Sequence, residues 1–119
     1  MDLNPGEIYT AFDPSGGKRP FVVVSRRELN KGDYFIAVPL TTQNIEARKK
    51  LPNCVHFPAH AHGLPKECVA QADALTLLRK ADLATPIEHL GTLSPASLNA
   101  VIKAIGYVVG ATFQKDVHS

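Results

Sequence analysis

The first ninety or so residues of this chain hold only short, strand-like apolar runs, and one helix-period stretch follows them. That order limits the fold more than any other feature, because a parallel sheet needs a helical crossover after nearly every strand. Residues 7–12 read as a first strand, ended by Asp13-Pro14-Ser15-Gly16-Gly17, a dense turn signal. Residues 21–24 (Phe-Val-Val-Val) have no polar break, as expected of a central strand buried on both faces. Ser25 and Glu28 have the spacing of a capping box, with Asn30 and Gly32 as stop residues, so a connector of about one and a half helical turns is expected there. Residues 34–40 give a third strand, and Pro39 near its end argues for an edge or bulge. Residues 43–50 are polar and loop-like. Residues 54–57 and 67–75 read as two more strands around the turn-rich segment 60–65, residues 76–85 as a helical turn and loop, and residues 88–93 as a last short strand.

The helix is expected to start at Ser94, a good N-cap, with Pro95 suited to the first helical position. Leu98, Val101, Ile102, Ile105, Val109 and Phe113 then mark one apolar stripe that must find cover. Burial of such side chains is worth roughly 1.5–3 kcal/mol each, before chain entropy is set against it. Strands followed by one helix imply a strongly bent antiparallel sheet or small barrel with a helix packed against it, in a single domain spanning residues 1–119.

Composition narrows the setting. Hydrophobic residues make up 45% and charged residues 20%, which suits a packed core rather than a disordered chain. No run approaches the ~18 apolar residues of a membrane span, and the first residues lack a basic head and an apolar signal core, so a cytoplasmic protein is expected. Two cysteines, Cys54 and Cys68, are too few for a disulfide scaffold and read as buried strand residues. The net charge of +2 conceals an uneven layout. Residues 18–50 carry eight Lys and Arg against three Asp and Glu, while residues 1–17 carry three acids and no base. A local positive field suits a polyanion, and it equally suits a solvated surface.

Several polar groups stand where strands begin or end. Arg19 follows a glycine pair and precedes Pro20, which biases it toward extended backbone at the mouth of a buried strand. Its planar fork matches a phosphate, although a strand-end arginine can also simply face solvent. Thr41 and Thr42 close the third strand, where hydroxyls can donate to a phosphate oxygen or merely shape a turn. Asp73 lies between alanines in an apolar run, so a buried carboxylate with an arginine or backbone partner is expected, with Gln71 on the same strand face. Cys54, His56, His60 and His62 fall within nine residues. Zinc ligands usually pair at tight, repeated spacings on both sides of a loop, and a proline intervenes before His60, so no metal site and no cofactor are expected.

Taken in order, the blocks Gly6-Glu7-Ile8-Tyr9, Asp13-Pro14, Gly17-Lys18-Arg19-Pro20, Val22-Val23-Val24-Ser25, Val38-Pro39-Leu40-Thr41-Thr42-Gln43, Val69-Ala70-Gln71-Ala72-Asp73 and Gly91-Thr92-Leu93-Ser94 resemble the MazF/PemK family of toxin–antitoxin toxins. The resemblance implies an SH3-like, CcdB-related antiparallel barrel of five to seven strands with a C-terminal helix packed on it, assembled as a homodimer. It implies a sequence-specific, metal-independent endoribonuclease that cuts single-stranded RNA and is neutralised by a cognate antitoxin with an acidic, disordered tail. In that reaction the RNA 2′-hydroxyl attacks its own phosphate, leaving a 2′,3′-cyclic phosphate and a 5′-hydroxyl. By the resemblance Arg19, Thr41 and Asp73 are catalytic, and Lys18, Thr42, Gln43 and Gln71 contact the RNA. Arg19 would hold the phosphate's non-bridging oxygens, Thr41 would donate to the same charge, and Asp73 would act as a base. A relative of the same fold poisons DNA gyrase without nuclease activity, and a CcdB-like gyrase-binding toxin is the alternative reading.

Overall fold

Strand β1 (Glu7–Phe12) turns through residues 13–17 into β2 (Lys18–Val23), and the hairpin pairs Ile8 with Val22 and Phe12 with Lys18. The computed structural model describes residues 2–111. The second strand begins three residues earlier than its apolar run, because pairing with β1 extends it through Pro20 and Arg19. A 3-10 turn (Leu29–Lys31) leads to β3 (Tyr34–Thr41), which pairs with β2 on one side. On its other side β3 pairs first with β6 (Thr76–Arg79) and then with β5 (Cys68–Gln71). Pro39, which has no amide hydrogen for a ladder, stands where this exchange of partners occurs.

Strand β4 (Cys54–Phe57) lies outside β5, and β7 (His89–Thr92) lies outside β1. The result is one antiparallel sheet of seven strands in the order β4-β5-β3-β2-β1-β7, with β6 beside β3. This is the expected bent antiparallel sheet with a helix on it. Ile8, Val22, Val38, Phe57 and Leu64 face Val101 of helix α2 (Pro95–Val108), where Leu98 and Ile105 complete the packing. Tyr9, Phe21, Val23, Phe35 and Leu78 form a second cluster. The first three strands are thus covered on both faces, as the unbroken Phe21–Val23 run foretells.

Four local expectations change. The capping box at Ser25 does not form. The Ser25 hydroxyl instead accepts the Ile36 amide at 2.9 Å and donates to the buried Asn30 side chain, whose own amide donates to the carbonyls of Leu3 and Ser25. Residues 43–50 are not all loop, since Ile45–Arg48 forms a short helix, α1. The single strand expected over residues 67–75 is broken by a 3-10 turn at Ala72–Ala74, and the helical turn expected after it is instead β6, followed by a 3-10 turn at Lys80–Asp82. β5 stops because β6 must take its place beside the first half of β3.

The C-terminal helix starts as expected, with the Ser94 hydroxyl accepting the Ser97 amide at 3.2 Å and Pro95 at the first position. Its stripe is narrower than expected. Val101 and Ala104 are buried, whereas Ile102 and Val109 are exposed. Ile102 sits about 100° around the helix from Val101 and points away from the sheet. Phe113 lies outside the described residues.

Candidate active site

The turn between β1 and β2 is closed by the Asp13 amide donating to the Gly17 carbonyl and the Gly16 amide donating to the Asp13 carbonyl, both at 2.8 Å. Gly16 and Gly17 take φ of +117° and +73°, values that side-chain-bearing residues adopt at a cost. This tight turn has a consequence for charge. Ala11 pairs with Arg19, so Asp13 and Arg19 leave the same face of the hairpin one diagonal apart. The Arg19 Nε lies 2.7 Å from Asp13 Oδ2, forming an ion pair. Asp13 Oδ1 accepts the Ser15 amide at 2.9 Å and the Ser15 hydroxyl at 2.8 Å. Burial alone would raise the Asp13 pKa, but the two Ser15 donors and the Arg19 charge outweigh it and hold the carboxyl below the ordinary range.

Thr41, the last residue of β3, is buried, with 6% of its surface exposed. Its Oγ1 accepts the Gln43 amide at 3.1 Å, so the hydroxyl proton is left to donate elsewhere. Arg19 and Thr41 line one open depression of about 250 Å³ together with Lys18, Pro20, Thr42 and Gln43. Lys18 is exposed and its ammonium lies 5.9 Å from the centre of the Phe12 ring. On the other side of Arg19 is a second depression of about 340 Å³, bordered by Asp13, Phe21, Pro39, Gln71 and Thr76. Arg19 therefore stands between two adjoining hollows, with hydroxyls and an amide in one and an amide above apolar surface in the other.

Five of the expected site residues thus meet in one hollow, and Gln71 reaches Arg19 through its neighbour. Asp73 departs from expectation. It is exposed on the 3-10 turn after β5, neither buried nor paired with an arginine, and its Oδ1 accepts the Asn53 side-chain amide at 2.8 Å. The turn also breaks the strand alternation that would have set Asp73 on the face of Gln71. Asp73 still lies on the segment that walls the second hollow, where Gln71, Ala74, Leu75 and Thr76 are lining residues. Asp13 is the site residue that strand reading passes over, because in sequence it reads only as part of a turn. The signal for it was an acid at the end of β1 facing a base at the start of β2.

The histidines and cysteines are dispersed. His56 Nε2 lies 2.6 Å from Glu67, His62 Nε2 lies 3.1 Å from the Ser97 hydroxyl, and the free thiols of Cys54 and Cys68 are buried. Among the described residues no three His, Cys, Asp or Glu gather as metal ligands. No helix of the described residues is long and apolar enough to cross a membrane.

Comparison with known proteins agrees with this architecture. Residues 2–109 match the family model described as PemK-like, MazF-like toxin of type II toxin-antitoxin system. No curated protein sequence matches the chain. Among solved structures, an endoribonuclease in complex with its cognate antitoxin from a Mycobacterial species is 26% identical. It has a TM-score of 0.77 and covers 93% of this chain and 98% of its own. Two further structures share the fold. The Mycobacterium tuberculosis toxin MazF-mt6 is 20% identical, with a TM-score of 0.74 over 90% of this chain and 99% of that one. A MazE-MazF structure from Deinococcus radiodurans is 24% identical, with a TM-score of 0.73 over 94% and 99%.

Proposed function

Because the chain belongs to the PemK-like, MazF-like toxins of type II toxin–antitoxin systems, we propose that it is an endoribonuclease that cuts single-stranded RNA at short sequences without metal. The observation that carries this reading is the shared hollow of Arg19 and Thr41. A phosphodiester placed there would have a guanidinium beside its non-bridging oxygens and a hydroxyl donor at the floor. Attack by the adjacent 2′-oxygen forms a new bond to phosphorus, and the bond from phosphorus to the 5′-oxygen breaks. One proton leaves the 2′-hydroxyl and one reaches the departing 5′-oxygen, so the products are a 2′,3′-cyclic phosphate and a 5′-hydroxyl. Arg19 and Thr41 act on the charge that builds on the phosphorane oxygens, where fixed donors contribute most. Asp73, on the segment that walls the adjoining hollow and with Oδ1 on the Asn53 amide, is the proposed acceptor of the 2′-hydroxyl proton. Lys18, Thr42, Gln43 and Gln71 would hold the nucleotides on either side.

The same reading has two partners. A second copy of the chain is proposed to cover the C-terminal half of α2, where Ile102, Tyr107, Val108 and the C-cap Val109 are exposed. Beside them a groove of about 270 Å³ between α2 and β4 is lined by Pro52, Val55, Ala100 and Tyr107. A cognate antitoxin with an acidic, disordered tail is proposed to neutralise the toxin over its basic surface. The decisive test is incubation of the purified protein with naked single-stranded RNA in EDTA. Cleavage with a 2′,3′-cyclic phosphate end is expected from the parent and none from Arg19→Ala, with circular dichroism showing an intact fold. An Arg19→Ala protein that cuts at the parent rate would refute the assignment.

A further inference from the structure

We propose that Asp13 is the positioning residue for Arg19, fixing the guanidinium by its Nε so that the Nη edge is presented to the scissile phosphate. This rests on the ribonuclease reading above. An arginine has four rotatable bonds before its planar group, and a guanidinium that wanders by an ångström loses much of its value to a transition state, about 10²-fold in rate. The backbone brings Arg19 to the hollow, but the direction of its fork is set by what holds it. Its Nε sits 2.7 Å from Asp13 Oδ2 in an ion pair, while the side chain keeps 35% of its surface exposed. The carboxylate is itself fixed, since both Ser15 donors hold its other oxygen and the closed turn fixes its backbone. A carboxylate with 12% of its side chain exposed, one oxygen on Ser15 and the other on the guanidinium, is a rigid bracket and not a surface counter-ion. Because the contact runs through Nε, the two terminal nitrogens are left for a bidentate grip on two phosphate oxygens.

The short turn makes this possible. Residues 14–17 are all that separate Asp13 from Lys18, so a bracket five positions before the strand start can reach back across the hairpin. Asp13 touches neither RNA nor the reacting atoms in this account. Its effect is therefore expected in the rate of the chemical step and not in RNA affinity.

The test is single-turnover cleavage of a short RNA that carries the preferred site mapped with the parent protein. Asp13→Asn is nearly isosteric and keeps an oxygen for Ser15, but it turns an amide donor toward Nε. It is expected to cut about 10- to 100-fold more slowly at saturating protein, with RNA affinity within about twofold of the parent. Asp13→Glu, which restores a carboxylate, is expected to recover part of that loss. A further arm uses guanidinium ion as the probe. Added at non-denaturing concentration, it should restore some cleavage to Arg19→Ala and none to the Asp13→Asn, Arg19→Ala double variant, because the bracket that would hold the free ion is gone. A folded Asp13→Asn protein that cuts as fast as the parent, or a loss that lies wholly in affinity, would overturn the proposal while leaving the ribonuclease reading intact. A parent protein that does not cut RNA would overturn both.

Discussion

A charged side chain near a reacting phosphate is useful in proportion to how firmly it is held, and Thr41 is held as well as Arg19. Its oxygen is engaged by Gln43 and its surroundings are almost closed, so its proton has few directions to take. Thr41→Val keeps the shape and removes the donor, and single-turnover cleavage should fall about 10²-fold or more, as for loss of one oxyanion donor. Thr41→Ser should retain most of the parent rate. Acid stability reports on Asp13 in the opposite way. Its folded pKa is depressed, so its contribution is present above the ordinary carboxylate pKa and is lost as pH falls through the folded value. Asp13→Asn should therefore cost about 0.5–1 kcal/mol in urea unfolding at neutral pH, with a gap that closes in acid. At Cys68, burial first and then the nearby Glu67 push the thiol up to about 11. Iodoacetamide at pH 8 should leave it unmodified until the chain is unfolded.

Among the elements, β7 and the 3-10 turn at Ala61–Gly63 meet at backbone distance. A Cβ on Gly91 would lie 1.8 Å from the His62 carbonyl oxygen, and one on Gly63 would lie 2.1 Å from that of Leu90. Neither backbone can yield without opening the sheet edge, so Gly91→Ala should lower stability by about 1–3 kcal/mol or more in thermal or urea unfolding. In sequence Gly63 reads as part of a turn and Gly91 as part of the last strand, and neither shows their contact, which joins segments nearly thirty positions apart. The β1–β2 hairpin and the start of α2 were legible because turn glycines, a serine N-cap and a first-position proline act within a few residues. The Ser25 capping box was not, because Asn30 and the Ile36 amide compete for the same hydroxyl. The split between β5 and β6 was equally hidden. The Ala72 amide turns out to the Asn53 carbonyl at 2.9 Å, and the next strand is needed by β3. That turn is also why Asp73 is exposed beside Asn53 and not a buried strand carboxylate.

For the molecule as a whole, the apolar surface left on α2 is the feature that an isolated chain does not explain. Ile102, Tyr107 and Val108 of the helix and its C-cap Val109 remain exposed although the helix already covers the core. Sedimentation of the parent at micromolar concentration should give a dimer, and Ile102→Glu with Val109→Glu should give a folded monomer. A parent that sediments as a monomer would remove the second copy from the proposed assembly. RNA binding by a cleavage-dead protein should weaken steeply with salt, because the region from Lys18 to Lys50 carries all of the basic excess.

Local chemistry in the chain was enough to mark β1 to β4 and β7 as strands, where the hairpin turns, where the last helix begins and which arginine and threonines stand at strand ends. These properties depend on backbone sterics and on partners a few residues away. Only the folded sheet decided that β3 changes partners at Pro39, that Arg19 and Thr41 share a hollow while Asp73 stands outside it, and that Asp13 grips the guanidinium. Each of those depends on strand register and on which segments the closing sheet brings together, and no stretch of neighbouring residues encodes that alone.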